Sequence, residues 1–324
     1  MATTRHFLTD LDLSPGEQRE VLDLALAMKA DRFGYRPYAG PQTVAVFFDK
    51  TSTRTRVSFH AGIAELGGSP LIVNSAESQL GHKESIADSA RVLERMVSTI
   101  VWRTYAQSGL EEMAQHSKVP VINALSDDYH PCQLLADLLT IREHKGELKG
   151  LKLAYLGDAA NNMANSYLLA AVNAGMHVAI AGPEGYHPEQ RIIAAAQLRA
   201  NETGAKITIT SNPAEALADA DVVATDTWVS MGQEEEKAER LKLFTDYQVN
   251  AQAMAAAKSD AIVLHCLPAY RDYEITAEVI DGPQSVVLDE AENRVHAQKA
   301  LMAWLMAASG LSAGPAGAHR ESGD

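Results

Sequence analysis

Ser52, Thr53, Arg54, Thr55 and Arg56 alternate hydroxyl and guanidinium side chains at one junction of the chain. An apolar run, TVAVFF at 43–48, precedes them, and Val57, Phe59, Ile63, Ala64 and Leu66 follow at helical spacing. The pattern predicts a buried strand, a turn at 49–51 and a helix that begins within the hydroxyl–arginine run. A helix N-terminus presents unpaired N–H groups and the positive end of the macrodipole. Hydroxyls and guanidinium groups added there make a receptor for a small phosphate. The ordinary alternative is an N-cap serine followed by solvated arginines. Residues two apart on a helix point about 200° apart, so Arg54 and Arg56 cannot both face one ligand. Ser52, Thr53, Arg54 and Thr55 are therefore the expected anion donors. Arg56 is expected to serve the scaffold, ion-paired with a neighbouring carboxylate.

Three further polar clusters follow apolar runs. Arg103 ends STIVW and precedes Thr104; His130-Pro131-Cys132-Gln133 opens a helical pattern after VPVIN; His265-Cys266-Leu267-Pro268 ends AIVL. Alone, each has an ordinary reading: a surface charge, a structural histidine, a packed cysteine. Ligands of open α/β sheets bind beyond the carboxyl ends of the strands, and all four clusters fall at such ends.

The elements that must position them alternate regularly. Helices are expected at 15–32 (after Ser14), 86–96, 109–116 and 130–144, with strands at 71–73, 99–103 and 119–123. After the polar, glycine-punctuated stretch 145–150, strands are expected at 152–156, 177–181, 206–210, 221–225, 261–264 and 285–288. Helices are expected after 157, at 188–203, at 213–218 and at 250–257. This order predicts an α/β protein of two doubly wound domains, each a central parallel sheet flanked by helices. The expected division is 1–144 and 145–292, with a C-terminal helix at 293–308 joining the first domain and a disordered Gly/Ala/Ser-rich tail at 309–324.

The chain has 324 residues and a net charge of −14, from 28 Lys+Arg against 42 Asp+Glu. That balance argues against nucleic-acid and anionic-membrane partners, and it requires an anion site to be a local cluster of the few arginines. No apolar run is long enough to cross a bilayer, and the start lacks a signal core, so a cytoplasmic protein is expected. Cys132 and Cys266 are the two cysteines, expected reduced rather than disulfide-bonded.

The motifs FFDKTSTRTR, SQLGHKES, HPCQ, DTWVSMGQEEE and HCLP, in this order, resemble those of the ornithine carbamoyltransferases. The resemblance runs from Arg5-His6-Phe7-Leu8 to Glu292-Asn293-Arg294. STRTR and HPCQ are shared with carbamoyltransferases generally, whereas DTWVSMG and HCLP point to ornithine. The resemblance implies that carbamoyl phosphate and L-ornithine give L-citrulline and phosphate, with no cofactor and no metal. It implies that Ser52, Thr53, Arg54, Thr55 and Arg103 hold the phosphate. His130, Gln133, Arg294, Cys266 and the backbone of Leu267 would attend the carbamoyl group. Arg54, Arg103, His130 and Cys266 are the implied catalytic residues, with Cys266 as a thiolate base or as an orienting group. Asn162, Asp226, Ser230 and Met231 would bind ornithine, under a lid at 229–237 hinged at Gly232. Gln79 would reach the phosphate site of an adjacent subunit, which implies a homotrimer or a multiple of one.

Rival readings remain. His130, Cys132, His265 and Cys266 have ligand types that suit zinc, but neither pair has the spacing of a structural site. Another amine acceptor, citrulline phosphorolysis, or a binding protein that kept the fold would share most of the motifs.

Overall fold

The computed structural model describes residues 3–74, 84–229 and 234–311. The chain forms two compact units, residues 1–136 with 293–324 and residues 137–292.

In the first unit, helix α1 (Pro15–Ala30) starts at a capping box in which Ser14 and Glu17 satisfy each other's backbone N–H. Then come β1 (Thr43–Phe48), α2 (Thr53–Glu65), β2 (Ser69–Asn74), α3 (Ile86–Leu93), β3 (Thr99–Arg103), α4 (Gln107–His116), β4 (Val121–Leu125) and α5 (Pro131–Lys145). The four strands are parallel in the order β2-β1-β3-β4. Val44, Ala45, Val46, Ile100, Val101, Val121 and Ile122 are all fully buried, as expected of strands covered on both faces. Each buried Val or Ile contributes about 1.5–3 kcal/mol relative to an exposed one.

The second unit runs β5 (Lys152–Leu156), α6 (Asn162–Asn173), β6 (His177–Ala181), α7 (Gln190–Thr203), β7 (Ile207–Thr210), α8 (Pro213–Leu217) and β8 (Val222–Thr225). It continues with α9 (Lys237–Leu243), α10 (Ala251–Ala256), β9 (Ile262–His265), α11 (Ala277–Ile280) and α12 (Val287–Ala308). Its five strands are parallel in the order β7-β6-β5-β8-β9. The division between units falls within α5 and within α12.

Three local expectations are corrected. No strand forms at 285–288: Ser285 makes an isolated bridge to Val263, and Val287 already opens α12. Asp289 and Glu290 in the first turn favour the helix start over the local β propensity of the valines. The helix expected at 86–96 ends at Leu93, and Arg95 and Met96 tighten into i→i+3 bonds to Val92 and Leu93. Within the expected disordered tail, Ser309 bonds back to Leu305 and receives the N–H of Arg5, and residues 312–324 lie outside the described residues. Among the described residues, no helix is long and apolar enough to cross a membrane.

Candidate active site

Each sheet has one point where its connections diverge, and the candidate residues gather there. In the first sheet, β1 continues outward to β2 while β3 and β4 lie on its other side. The carboxyl ends of β1 and β3 therefore frame a crevice. Ser52 follows β1 as the N-cap of α2, its hydroxyl accepting the N–H of Thr55 at 3.2 Å and donating to Thr55 Oγ1 at 3.0 Å. Thr53 and Arg54 form the first turn of α2, with Thr53 exposed and Arg54 half-buried. Thr55 is buried, and its hydroxyl oxygen accepts from Arg103 Nη1 at 3.5 Å and from Arg294 Nη2 at 3.3 Å.

Arg103 is the last residue of β3 and Arg294 lies on α12; both are nearly fully buried. Arg294 Nη1 donates to Gln133 Oε1 at 2.5 Å, and Gln298, its amide oxygen turned toward the guanidinium, accepts from Nε and Nη2. His130 precedes α5, and its carbonyl accepts the N–H of Gln133 at 3.0 Å. Burial, with Arg294, Arg103 and Arg54 around it, holds the His130 imidazole well below its ordinary pKa. A neutral imidazole can donate one hydrogen bond and accept another.

Arg56 turns away from this group. It donates to the Asn74 side-chain oxygen at the end of β2 and lies over the ring of Phe48. The carboxylate partner expected from sequence is thus replaced by an amide and an aromatic face. Cys132 is buried, donates to the Asn123 carbonyl at 3.3 Å, and has its thiol pushed up to about 12 by burial. That thiol is engaged with backbone and not presented as a ligand.

In the second sheet the connections diverge between β5 and β8. After β5, Gly157 has φ +133, a backbone conformation that calls for glycine, and the Trp228 ring packs against it, 3.4 Å from where a Cβ would lie. Asn161 caps α6 through the N–H of Ala164, and Asn162 is the first helical residue. Asp226 directly follows β8 and is buried.

Cys266 follows β9 and donates from Sγ to Asp226 Oδ1 at 3.3 Å. Burial and the surrounding carboxylates of Asp226, Glu290 and Asp137 push its thiol well above the ordinary value. Carboxylates rather than a cation act on the sulfur among the described residues, an environment that disfavours the thiolate expected beside a cationic amine or arginine. Burial also raises the Asp226 carboxyl. Leu267 has φ +55 and Leu267–Pro268 is cis. His265 is fully buried; its Nε2 meets Glu274 Oε1 at 3.0 Å and its backbone N–H donates to Glu290 at 2.8 Å.

Asp226, His265 and Cys266 offer ligand atoms within 4.8 Å of one another. Both ring nitrogens of His265 are already engaged, by Leu267 N–H and by Glu274, so a metal would have to displace one of them. Gln79, Ser230 and Met231, with Gly232, lie outside the described residues. Sequence reading overlooked Glu290 and Asp137, which act on the HCLP segment from α12 and α5, and Glu274, which folds back on His265 from the loop nine residues on. The charged stretch EKAER gave no sign that Arg240 is buried.

Two family profiles match the chain. Residues 5–143 match "Aspartate/ornithine carbamoyltransferase, carbamoyl-P binding domain", and residues 149–305 match "Aspartate/ornithine carbamoyltransferase, Asp/Orn binding domain". The ornithine carbamoyltransferase of Renibacterium salmoninarum is 70% identical over 307 residues, covering 94% of this chain and 99% of that one. That of Clavibacter sepedonicus is 66% identical over 303 residues, covering 94% and 99%. The solved structure of ornithine carbamoyltransferase from Pyrococcus furiosus superposes with a TM-score of 0.90 at 45% identity, covering 95% of this chain and 99% of that one. The chain belongs to the aspartate/ornithine carbamoyltransferase family.

Proposed function

We propose that the chain transfers the carbamoyl group of carbamoyl phosphate to the δ-amine of L-ornithine, releasing L-citrulline and phosphate. The observation that carries this reading is the meeting of Arg103 and Arg294 on the Thr55 hydroxyl at the N-terminus of α2, with Arg54 in the same first turn and His130 within their field. An acidic protein concentrates three guanidinium groups where one small dianion can compensate them. Residues 1–144 with 293–308 bind carbamoyl phosphate, and 145–292 bind ornithine.

In the reaction, the neutral amine nitrogen forms a bond to the carbamoyl carbon, the bond to the phosphate oxygen breaks, and the proton lost by the amine passes to the departing phosphate. Ser52, Thr53, Arg54, Thr55 and Arg103 hold the phosphate and compensate its charge as it leaves. His130, with Gln133 and Arg294, donates to the carbamoyl oxygen as charge develops there. Asp226 and Asn162 orient ornithine with Ser230 and Met231, and the protonated Cys266 orients rather than abstracts. Positioning supplies much of the rate, with no covalent intermediate. Carbamoyl phosphate is a mixed anhydride, so transfer to an amine runs toward citrulline, the direction of arginine biosynthesis in the cytoplasm.

The assembly is a homotrimer or a multiple of one, with Gln79 supplied to a neighbouring phosphate site. Exposed apolar side chains of the first unit support it: Val57 is 59% and Met96 71% exposed, with Leu71 on the edge strand β2. Light scattering on the intact protein tests the trimer, and a monomer at working concentration would exclude it. Citrulline measured from the two purified substrates tests the activity. Binding of carbamoyl phosphate without citrulline, or turnover with aspartate or putrescine instead, would overturn it.

A further inference from the structure

Arg240 is a buried arginine that the reaction does not call for. It lies on α9, is 3% exposed, and its guanidinium stacks over the rings of Tyr186 and Phe244 at 5.2 Å. Its Nε donates to the Trp228 carbonyl at 2.6 Å, its Nη2 pairs with Asp158 Oδ2, and its Nη1 reaches Glu236 at 3.4 Å. Trp228 lies two residues after Asp226; Asp158 directly follows Gly157 and accepts the N–H of Ala160 at 3.1 Å, in the turn that leads to Asn162. The two segments also meet directly, through the approach of the Trp228 ring to Gly157. Burial raises the Asp158 carboxyl and the guanidinium opposes that rise, so the ion pair keeps a desolvated carboxylate charged. A planar fork can hold a carbonyl and a carboxylate at once, and an ammonium cannot reproduce that geometry.

We propose that Arg240 is a positioning residue for ornithine: by tying the Trp228 carbonyl to the Asp158 carboxylate, it fixes the spacing between the segment bearing Asp226 and the turn bearing Asn162. The inference rests on the reading that Asp226 and Asn162 bind ornithine. It makes Arg240 specific to one substrate, because neither segment carries a residue assigned to carbamoyl phosphate.

The test is steady-state kinetics on the intact protein with each substrate varied in turn. Arg240→Met should raise the ornithine KM by about tenfold or more, with the carbamoyl phosphate KM changed less than about twofold. Asp158→Asn should shift the same constant in the same direction. The double variant should cost no more than Arg240→Met alone, since both act through one pair. If Arg240→Met fails to fold, Arg240→Lys retains the charge and should still raise the ornithine KM selectively. A merely structural arginine would lower the melting temperature and kcat while leaving the ratio of the two KM values unchanged, and that result would overturn the proposal. Asp226→Asn, measured alongside, separates the two readings. If it leaves the ornithine KM unchanged, the site assignment fails; if it raises that constant while both Arg240 variants do not, only the role of Arg240 fails.

Discussion

Leu267 donates its backbone N–H to Nδ1 of His265 at 2.9 Å. That bond fixes the tautomer: Nε2 carries the proton and donates it to Glu274 at 3.0 Å. It also holds Leu267 in a left-handed conformation at φ +55, which costs about 1–2 kcal/mol in a residue with a Cβ. Strain of this kind persists where surrounding bonds over-determine the backbone, as His265, Glu274 and Glu290 do beside Cys266.

Glu274→Ala is expected to leave the buried Nε2–H of His265 without its acceptor and to lower stability by about 1–3 kcal/mol. It should also lower kcat, because the Cys266–Leu267 backbone loses its support. Urea unfolding and turnover check both effects, and a variant that matches the parent in both would show that the pair does not hold this segment.

Arg54→Gly is expected to weaken carbamoyl phosphate binding by about 100-fold or more, since a charged donor is removed from a partly desolvated anion site. Equilibrium binding at fixed ionic strength measures it. Parental affinity in the variant would remove Arg54 from the phosphate site.

The Cys266 thiol is expected to react slowly with iodoacetamide at neutral pH, with the rate rising only above the ordinary thiol value of 9.0. Restricted access would also slow alkylation, so the informative comparison is Asp226→Asn. Removing one of the carboxylates that disfavour the thiolate should speed the reaction at a given pH. Rapid alkylation of the parent at pH 7, with no acceleration in the variant, would restore the thiolate as a base.

His6 offers a stability test away from the site. Its Nδ1 accepts the N–H of Val121 at 3.1 Å, and burial lowers its pKa from 6.5 to about 4. Between those values the unfolded chain binds a proton that the folded protein refuses, so stability falls as pH drops through this window. His6→Asn keeps an acceptor that does not titrate and should flatten the dependence there. Urea midpoints measured from pH 6.5 down to 4 decide it; parallel curves for parent and variant would reject the assignment.

Much of the architecture is written locally. Val44–Phe48 and Ile100–Trp102 are unbroken apolar runs, and Ser14 and Ser52 mark helix starts by the side-chain acceptor each supplies. Local signals failed where a distant partner decided the outcome. Val286 and Val287 look like strand, but they are buried at the approach to α12 and its first residue. The grouping of Arg54, Arg103 and His130 could be inferred from strand ends alone, because a parallel sheet brings those ends to one edge. The environment of Cys266 could not, since Asp137, Asp226 and Glu290 belong to separate elements and only tertiary packing turns them on one sulfur. The amide partner of Arg56 was hidden for the same reason, because Asn74 is known to be its neighbour only once β2 is placed beside β1.

The first unit is discontinuous along the chain, and that has a consequence for biosynthesis. Arg294 on Gln133 and Thr55, Lys299 on Glu65 and the Arg32 carbonyl, and Trp304 on Glu20 all join the last described helix to residues that precede the second unit. A ribosome releases the strands of this unit before residue 137, yet withholds one of the arginines around His130 until the whole second unit has been made. On the proposed reading, grip on the phosphate donor therefore waits for the helix that follows the second unit. A polypeptide ended at Glu292 is expected to leave the fully buried Glu65 partner, Lys299, missing and to bind no carbamoyl phosphate, whereas normal binding by such a chain would make the last helix dispensable.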